Sequence, residues 1–441
     1  MQGPRQLPRR KRLLFQFIIM ALTYGLTELS ILVYLNFTFP DLLAKRRSVA
    51  RLDLTDAVLN NRPMMIHPYI GEVYQPDDPI DPSGEARAQR VTGKLRFNGY
   101  GFFDDDTPVR KRAPGKVIVA LTGGSVARQL GQTATGVLER ELSQISEFQG
   151  QQFEFVRLAI DGQKQPQQLM ALNYLLTLGG EFDLFINLDG VNEISLPGID
   201  NVPFGVSAAY PRKWNVLTAH TGSIEMMRSV GLVTYLRNVK RHSARWFDTA
   251  PWRYSPVATL IWKVRDDRLE KSILEQSNDI DRRSRERLPY CSSGPAEFFD
   301  SDEQLLAHCA EIWARSSILL HGLCRASQVR YFHFLQPNQY VRDSKPIGPQ
   351  EARLALNEAS QFARPVRIGY PLLQAKAGQL AEAGVIFTDL TGAFAEHQEP
   401  IYKDDCCHVT EAGDEIIATA IAARIKAWYA TNDAAGAPQA P

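Results

Sequence analysis

The 441-residue sequence has almost no net charge, with 50 Lys and Arg against 49 Asp and Glu. A chain without a global field of either sign carries no electrostatic footprint for nucleic acid, and no such partner is expected. Local basic clusters do not restore one. Arg282, Arg283, Arg285 and Arg287 are interleaved with Asp279, Asp281 and Glu286, the pattern of a solvated helix face. Cysteine is also scarce, and the five residues Cys291, Cys309, Cys324, Cys406 and Cys407 contain no C-x-x-C spacing. That excludes the usual structural zinc frameworks, and neither a metal nor a cofactor is expected. A chain of this length can bury a core without disulfides.

What the N-terminus has is a long apolar run. Leu13 to Tyr34 is almost wholly apolar and is preceded by Arg5, Arg9, Arg10, Lys11 and Arg12. The run is long enough to span a bilayer, no Ala-x-Ala site closes it, and the basic residues lie on one side. The expectation is a cytoplasmic tail over 1–12, an uncleaved transmembrane helix over 13–35 in contact with membrane lipid, and an extracytoplasmic remainder, the bacterial periplasm being the natural compartment. Glu28 lies inside the span, where a carboxylate is costly unless it is protonated, near the boundary or met by a partner helix. An oxidising compartment would permit disulfides, and a bridge from Cys406 or Cys407 to Cys291, Cys309 or Cys324 is the expected one, because vicinal cysteines rarely bridge comfortably.

Beyond a membrane-proximal stalk and lead-in over 36–114, strand and helix patterns alternate. Strands are expected over Val117–Leu121, Phe153–Ile160, Phe182–Leu188, Val329–Leu335 and Val385–Asp389. Helices are expected from about Gln167 to Leu178, Asp302 to Leu323 and Glu411 to Tyr429. This alternation predicts a parallel sheet covered on both faces. Residues 196–327 interrupt it with prolines, tryptophans and two helical stretches, near Ile224–Phe247 and Pro256–Leu274, and read as an insertion over the active edge of the sheet. There Trp246, Trp252, Tyr254 and Trp262 either pack or touch lipid or substrate. Residues 431–441 read as a disordered tail.

Three features follow strand ends: Gly123-Gly124-Ser125, Gly162, and Gly190-Val191-Asn192. Downstream stands Asp405-Cys406-Cys407-His408. Taken alone, Gly-Gly-Ser is an ordinary strand-to-helix turn. In this order, however, the four stretches resemble the SGNH hydrolases, the GDSL esterase/lipase superfamily, over about residues 115–195 and 328–430. The chain departs from the family pattern at Gly124, Arg157 and Glu193. The resemblance implies a flavodoxin-like three-layer α/β/α domain over 115–430. It implies Ser125, Asp405 and His408 as catalytic residues, with Ser125 N–H, Gly162 N–H and the Asn192 amide as oxyanion donors.

The chemistry of these residue types agrees. A serine hydroxyl needs a base, the base needs a group that fixes its tautomer, and an acyl oxyanion needs aimed donors. The other histidines, His67, His220, His242, His308, His321, His333 and His397, lack such a setting and are taken as structural or surface residues. An α/β-hydrolase elbow is disfavoured because its Asp and His lie on separate loops, and a metal site at 404–408 because it mixes hard and soft ligands on adjacent residues. The expected function is a membrane-anchored serine esterase acting on an acylated substrate, with removal or transfer of O-acetyl groups on envelope glycans suggested by analogy. The alternative is a catalytically silent accessory or binding subunit that docks partner proteins of an envelope polysaccharide assembly.

Overall fold

The structure, a computed structural model, describes residues 8–39, 42, 64–76, 97–104, 106–218, 224–283 and 290–434. Most of the expected stalk, and all of the expected tail beyond 434, lie outside these residues. The chain divides into two compact units, one of residues 1–62 and 222–286, the other of residues 63–221 and 287–441. The sequence reading placed 196–327 in one insertion. By contact, only its middle part groups with the N-terminal residues, while 196–221 and 287–327 belong with the sheet.

In the first unit, Arg9–Thr38 is one continuous helix, long and apolar enough to cross a membrane. Leu35, Leu42, Ala244, Phe247, Ala258 and Trp262 pack into a core with the helices Ile224–Phe247 and Pro256–Arg283. Glu28 finds its partner within its own chain. Its Oε1 accepts from Ser255 Oγ at 2.6 Å and its Oε2 from Val257 N–H at 3.1 Å. Ser255 Oγ in turn accepts from Ala258 N–H, so both side chains satisfy donors at the start of the helix that begins at Pro256. An otherwise costly carboxylate is thereby offset by the unpaired N–H groups and positive end of a helix. The aromatic cluster splits: Trp262 is fully buried, whereas Trp246, Trp252 and Tyr254 are exposed, with Trp246 stacked on Trp252 at 5.3 Å.

The second unit carries a short antiparallel hairpin, β1 (Met64–His67) and β2 (Gly71–Tyr74), and a five-stranded parallel sheet. The sheet strands are β3 (Lys116–Gly123), β4 (Gln152–Arg157), β5 (Leu184–Asp189), β6 (Arg330–Leu335) and β7 (Ile386–Asp389). Their order is β4-β3-β5-β6-β7, so the chain reverses direction of travel at β3, where β4 and β5 flank the strand that leads into Ser125. In such sheets the crevice outside the strand ends at this reversal is where ligands bind. The expected α/β class with a parallel sheet and an N-terminal apolar helix is what the structure has.

The central strands are apolar because both of their faces are covered. Val117, Ile118, Val119, Ala120 and Leu121 in β3, and Leu184, Phe185, Ile186 and Leu188 in β5, are all buried. Each such Val, Leu, Ile or Phe side chain stabilises the fold by about 1.5–3 kcal/mol relative to exposure. The helices Asp302–Ala326 and Glu411–Ala434 run a few residues past their expected ends, and β4 stops at Arg157, short of Ile160. There Leu158 N–H still bonds to Leu121 O and Ile160 N–H to Gly123 O, which carries the backbone on beside β3 to Gly162.

The disulfide expectation is not met: all five cysteines are free. Cys309 and Cys324 are buried on the helix Asp302–Ala326, and burial pushes the Cys309 thiol up to about 12. A thiol packed in this way is an inert small hydrophobe rather than a bridging partner.

Candidate active site

β3 delivers the chain to Gly123, whose φ is +142° and where any Cβ would stand 2.0 Å from Leu188 O of β5. Only glycine can pass so close to the neighbouring strand in this conformation. Gly124 is equally confined, since a Cβ there would stand 2.1 Å from Asn192 Nδ2. The pair therefore brings the Asn192 amide against the backbone that presents Ser125, the first residue of the helix Ser125–Thr133.

His408 Nε2 lies 2.7 Å from Ser125 Oγ. The serine and histidine of the sequence reading are thus brought together from positions far apart in the chain. The acid differs. His408 Nδ1 bonds to Asp404 Oδ2 at 2.5 Å, not to Asp405. Asp405 Oδ2 instead accepts from Asn357 Nδ2 at 3.2 Å. Local backbone geometry explains the correction. Asp404 Oδ1 accepts from the N–H groups of Cys406, Cys407 and His408, at 3.0, 3.0 and 3.2 Å, so its carboxylate caps the turn that carries His408. That cap aims the second oxygen at the imidazole one turn on. Because a carboxylate only accepts, Nδ1 carries the proton and Nε2 is left to accept from Ser125 Oγ–H.

The turn is fixed from both sides. Tyr402 pairs with Val409, and Lys403 N–H bonds to His408 O at 3.0 Å. From the segment after β6, Asn338 Nδ2 and Gln339 Nε2 donate to the carbonyls of Cys406 and Asp404, and Tyr340 Oη donates to that of Asp405. Burial alone would push the Asp404 carboxyl up. The His408 bond and charge and the N–H groups of Cys407 and His408 outweigh it and hold the carboxyl down at about 2. Asp404 is therefore ionised wherever His408 can act as a base. Cys406, Cys407 and His408 offer ligand atoms within 4.8 Å of one another, but His408 Nε2 is already engaged with Ser125.

Of the expected oxyanion donors, the Asn192 amide lies against Gly124 and beside Gln163, the residues next to Ser125 and Gly162. Among the described residues, neither the Ser125 nor the Gly162 backbone N–H has a hydrogen-bond acceptor. Asn192 Nδ2 donates one hydrogen to Gln163 O at 2.8 Å, which orients its amide and leaves the second hydrogen unengaged. Replacing Asn192 by alanine should lower kcat on an aryl acetate by about a hundred- to a thousandfold while the circular dichroism spectrum is kept, the usual effect of losing one oxyanion donor. An unchanged kcat would remove Asn192 from that role.

Two groups that the sequence did not single out as important hold this geometry. Glu193 is buried, and its Oε1 accepts from Gln165 N–H and Gln168 Nε2 and its Oε2 from Gly190 N–H. It ties the segment after Gly162 to the turn that carries Asn192. Asp189, at the end of β5, is buried too. It accepts from Trp313 Nε1 at 2.7 Å, His333 Nε2 at 2.9 Å and Asn187 Nδ2 at 2.7 Å. His333 is thus a core histidine, its Nδ1 meeting Ser317 Oγ at 2.7 Å. Neither network has a signal in a single sequence, since both join residues distant along the chain.

These buried acids set a pH dependence. Burial, reinforced by the charge of Asp189, pushes the Glu193 carboxyl up, and burial raises Glu72 to about 8 against the pull of Arg212 and Lys164. A raised folded pKa means that the native state binds a proton the unfolded chain has already lost, so stability falls as pH rises from about 4.5 toward 8. The thermal midpoint in detergent should therefore be higher near pH 5 than near pH 8, and Glu72→Gln should flatten that slope. A midpoint that climbs steadily from pH 5 to 8 would contradict the burial of both carboxyls.

No protein-family model matches the chain, and no curated protein matches it. Among solved structures, the crystal structure of an acetyl xylan esterase, AlAXEase, is similar with a TM-score of 0.31 and 11% identity, covering 71% of this chain and 99% of that one.

Proposed function

We propose that the chain is a serine ester hydrolase of the SGNH type, with Ser125 as nucleophile, His408 as base and Asp404 as the group that fixes the His408 tautomer. The observation that carries this reading is the continuous chain from Asp404 Oδ2 through His408 to Ser125 Oγ, with bonds of 2.5 and 2.7 Å. His408 Nε2 takes the serine proton as Oγ attacks the acyl carbonyl. The tetrahedral oxyanion meets the Ser125 and Gly162 N–H groups and the free hydrogen of the Asn192 amide, and His408 then protonates the leaving alcohol. Water, or the hydroxyl of a second substrate, completes turnover by attacking the acyl-enzyme.

In this proposal Arg9–Thr38 is the membrane anchor, with the basic end cytoplasmic and the sheet domain outside, where acylated envelope glycans would be its substrates. Rapid mixing of the full chain in detergent with p-nitrophenyl acetate tests the chemistry: a burst of nitrophenol stoichiometric with enzyme is expected, or else steady release where deacylation is fast. No release above buffer would favour the accessory role instead. A reporter active only in the periplasm, fused after Pro441, tests the topology, and activity solely from a cytoplasmic reporter would reverse it.

A further inference from the structure

Beside Gly162 the site carries a cation that ester hydrolysis does not require. Gly162 has a φ of +74°, and a Cβ there would stand 2.3 Å from Arg212 Cδ and 2.8 Å from Arg212 Nη1, so the guanidinium lies across the Gly162 backbone. Asp200 Oδ2 is 2.8 Å from Nη2 as an ion pair, yet out of line for a hydrogen bond. Among the described residues no acceptor is aligned with any N–H of the guanidinium, which is one-third exposed.

The segment that presents Arg212 is built with unusual expense. Asn201 Nδ2 donates to the carbonyls of Ser207, Tyr210 and Pro211 at 3.0, 3.0 and 3.1 Å. Lys164, fully buried, donates to Ala208 O, and Glu297 accepts from Ser207 Oγ and Ala208 N–H at 2.9 and 2.7 Å. The Pro211 ring is seated on Gly71, where a Cβ would stand 2.4 Å from its Cγ. The backbone that carries Arg212 is thereby ordered, and its side chain lies beside Gly162. The charges that act on the nearby Glu72 are Arg212, Lys164 and Lys213 against Asp200, and Glu297 adds a carboxylate at Ser207 and Ala208. The neighbouring Asp161 is engaged by Arg128 Nε at 2.5 Å, so it does not compete for Arg212.

We infer that Arg212 is a specificity-determining residue that receives an anionic group on the ester, so that the substrates of this site are acyl esters of acidic compounds, such as acidic glycans. This rests on the esterase reading above. A substrate carbonyl oxygen at the Gly162 N–H places the adjoining part of the molecule beside the guanidinium, whose planar fork suits a carboxylate, sulfate or phosphate. Such a charge-assisted contact is worth about ten- to a hundredfold in kcat/KM.

The test uses the full chain in detergent with an acetylated oligogalacturonide, the same oligosaccharide with its carboxyls methyl-esterified, and an acetylated glycerol phosphate. The ratio of kcat/KM for the free acid to that for the methyl ester should be at least about ten for the wild type and fall at least tenfold in Arg212→Gln, with Arg212→Lys between them. A higher kcat/KM for the glycerol phosphate than for the oligogalacturonide, also lost in Arg212→Gln, would keep the anion site and identify phosphate as its ligand. A wild-type ratio near one on both anions, or a ratio unmoved by Arg212→Gln, overturns the proposal. Should Arg212→Gln not fold, the wild-type ratio and its decline with salt decide. Absence of hydrolysis of every ester, p-nitrophenyl acetate included, would instead bring down the esterase reading itself.

Discussion

Ser125→Ala should abolish ester hydrolysis, leaving no rate above that of buffer on an aryl acetate. The expectation is severe because, among the described residues, Ser125 Oγ is the hydroxyl bonded to His408 Nε2. His408→Ala should be comparably severe, since the serine proton then has no acceptor, and combining the two substitutions should cost little more than either alone. The fold should survive both changes: Ser125 and His408 are part-buried at the mouth of the site, and neither side chain is among the core residues of the sheet. Wild-type turnover by Ser125→Ala, with the circular dichroism spectrum unchanged, would place the chemistry elsewhere.

The second large effect separates two adjacent carboxylates. Asp404→Asn should slow turnover by about four orders of magnitude, whereas Asp405→Asn should stay within a few fold of wild type. Asp404 Oδ1 accepts three backbone N–H groups, so an asparagine would keep its carbonyl oxygen on them and turn its NH₂ toward His408 Nδ1. The imidazole would then carry its proton on Nε2, facing the serine, which is the wrong tautomer for a base. Asp405 makes its side-chain bond to Asn357 and none to His408. Equal losses from the two substitutions, or a larger loss at Asp405, would reinstate the acid three residues before the histidine.

That pair also shows how much the sequence can carry. The parallel sheet was legible because its central strands are covered on both faces and must be runs of Val, Ile, Leu and Phe, ending at glycines where the backbone turns. That Ser125, Gly162 and Asn192 all lie beyond the same end of the sheet was legible because β4, β3 and β5 run parallel and side by side. The choice between Asp404 and Asp405 was not, because both spacings lie within reach of His408 and three backbone N–H groups decide which carboxylate is aimed. The missing disulfide has a similar origin: which way Cys309 and Cys324 face depends on the packing of a helix, not on the spacing of cysteines. Glu28 was read as a cost, and its compensation by the helix start at Ser255 and Val257 lies more than two hundred residues away in the chain. Arg212 gave no signal at all, being one arginine in a polar loop until Gly162 is found beneath it.

The central claim is that Ser125 is an activated nucleophile, and covalent trapping tests it most directly. The full chain in detergent is treated with a fluorophosphonate and digested, and the modified peptide is located by mass spectrometry. The account predicts one adduct, on Ser125, formed rapidly in the wild type and in Asp405→Asn but much more slowly in His408→Ala and Asp404→Asn. A folded protein that never labels at Ser125, or one that labels equally fast without His408, would contradict it.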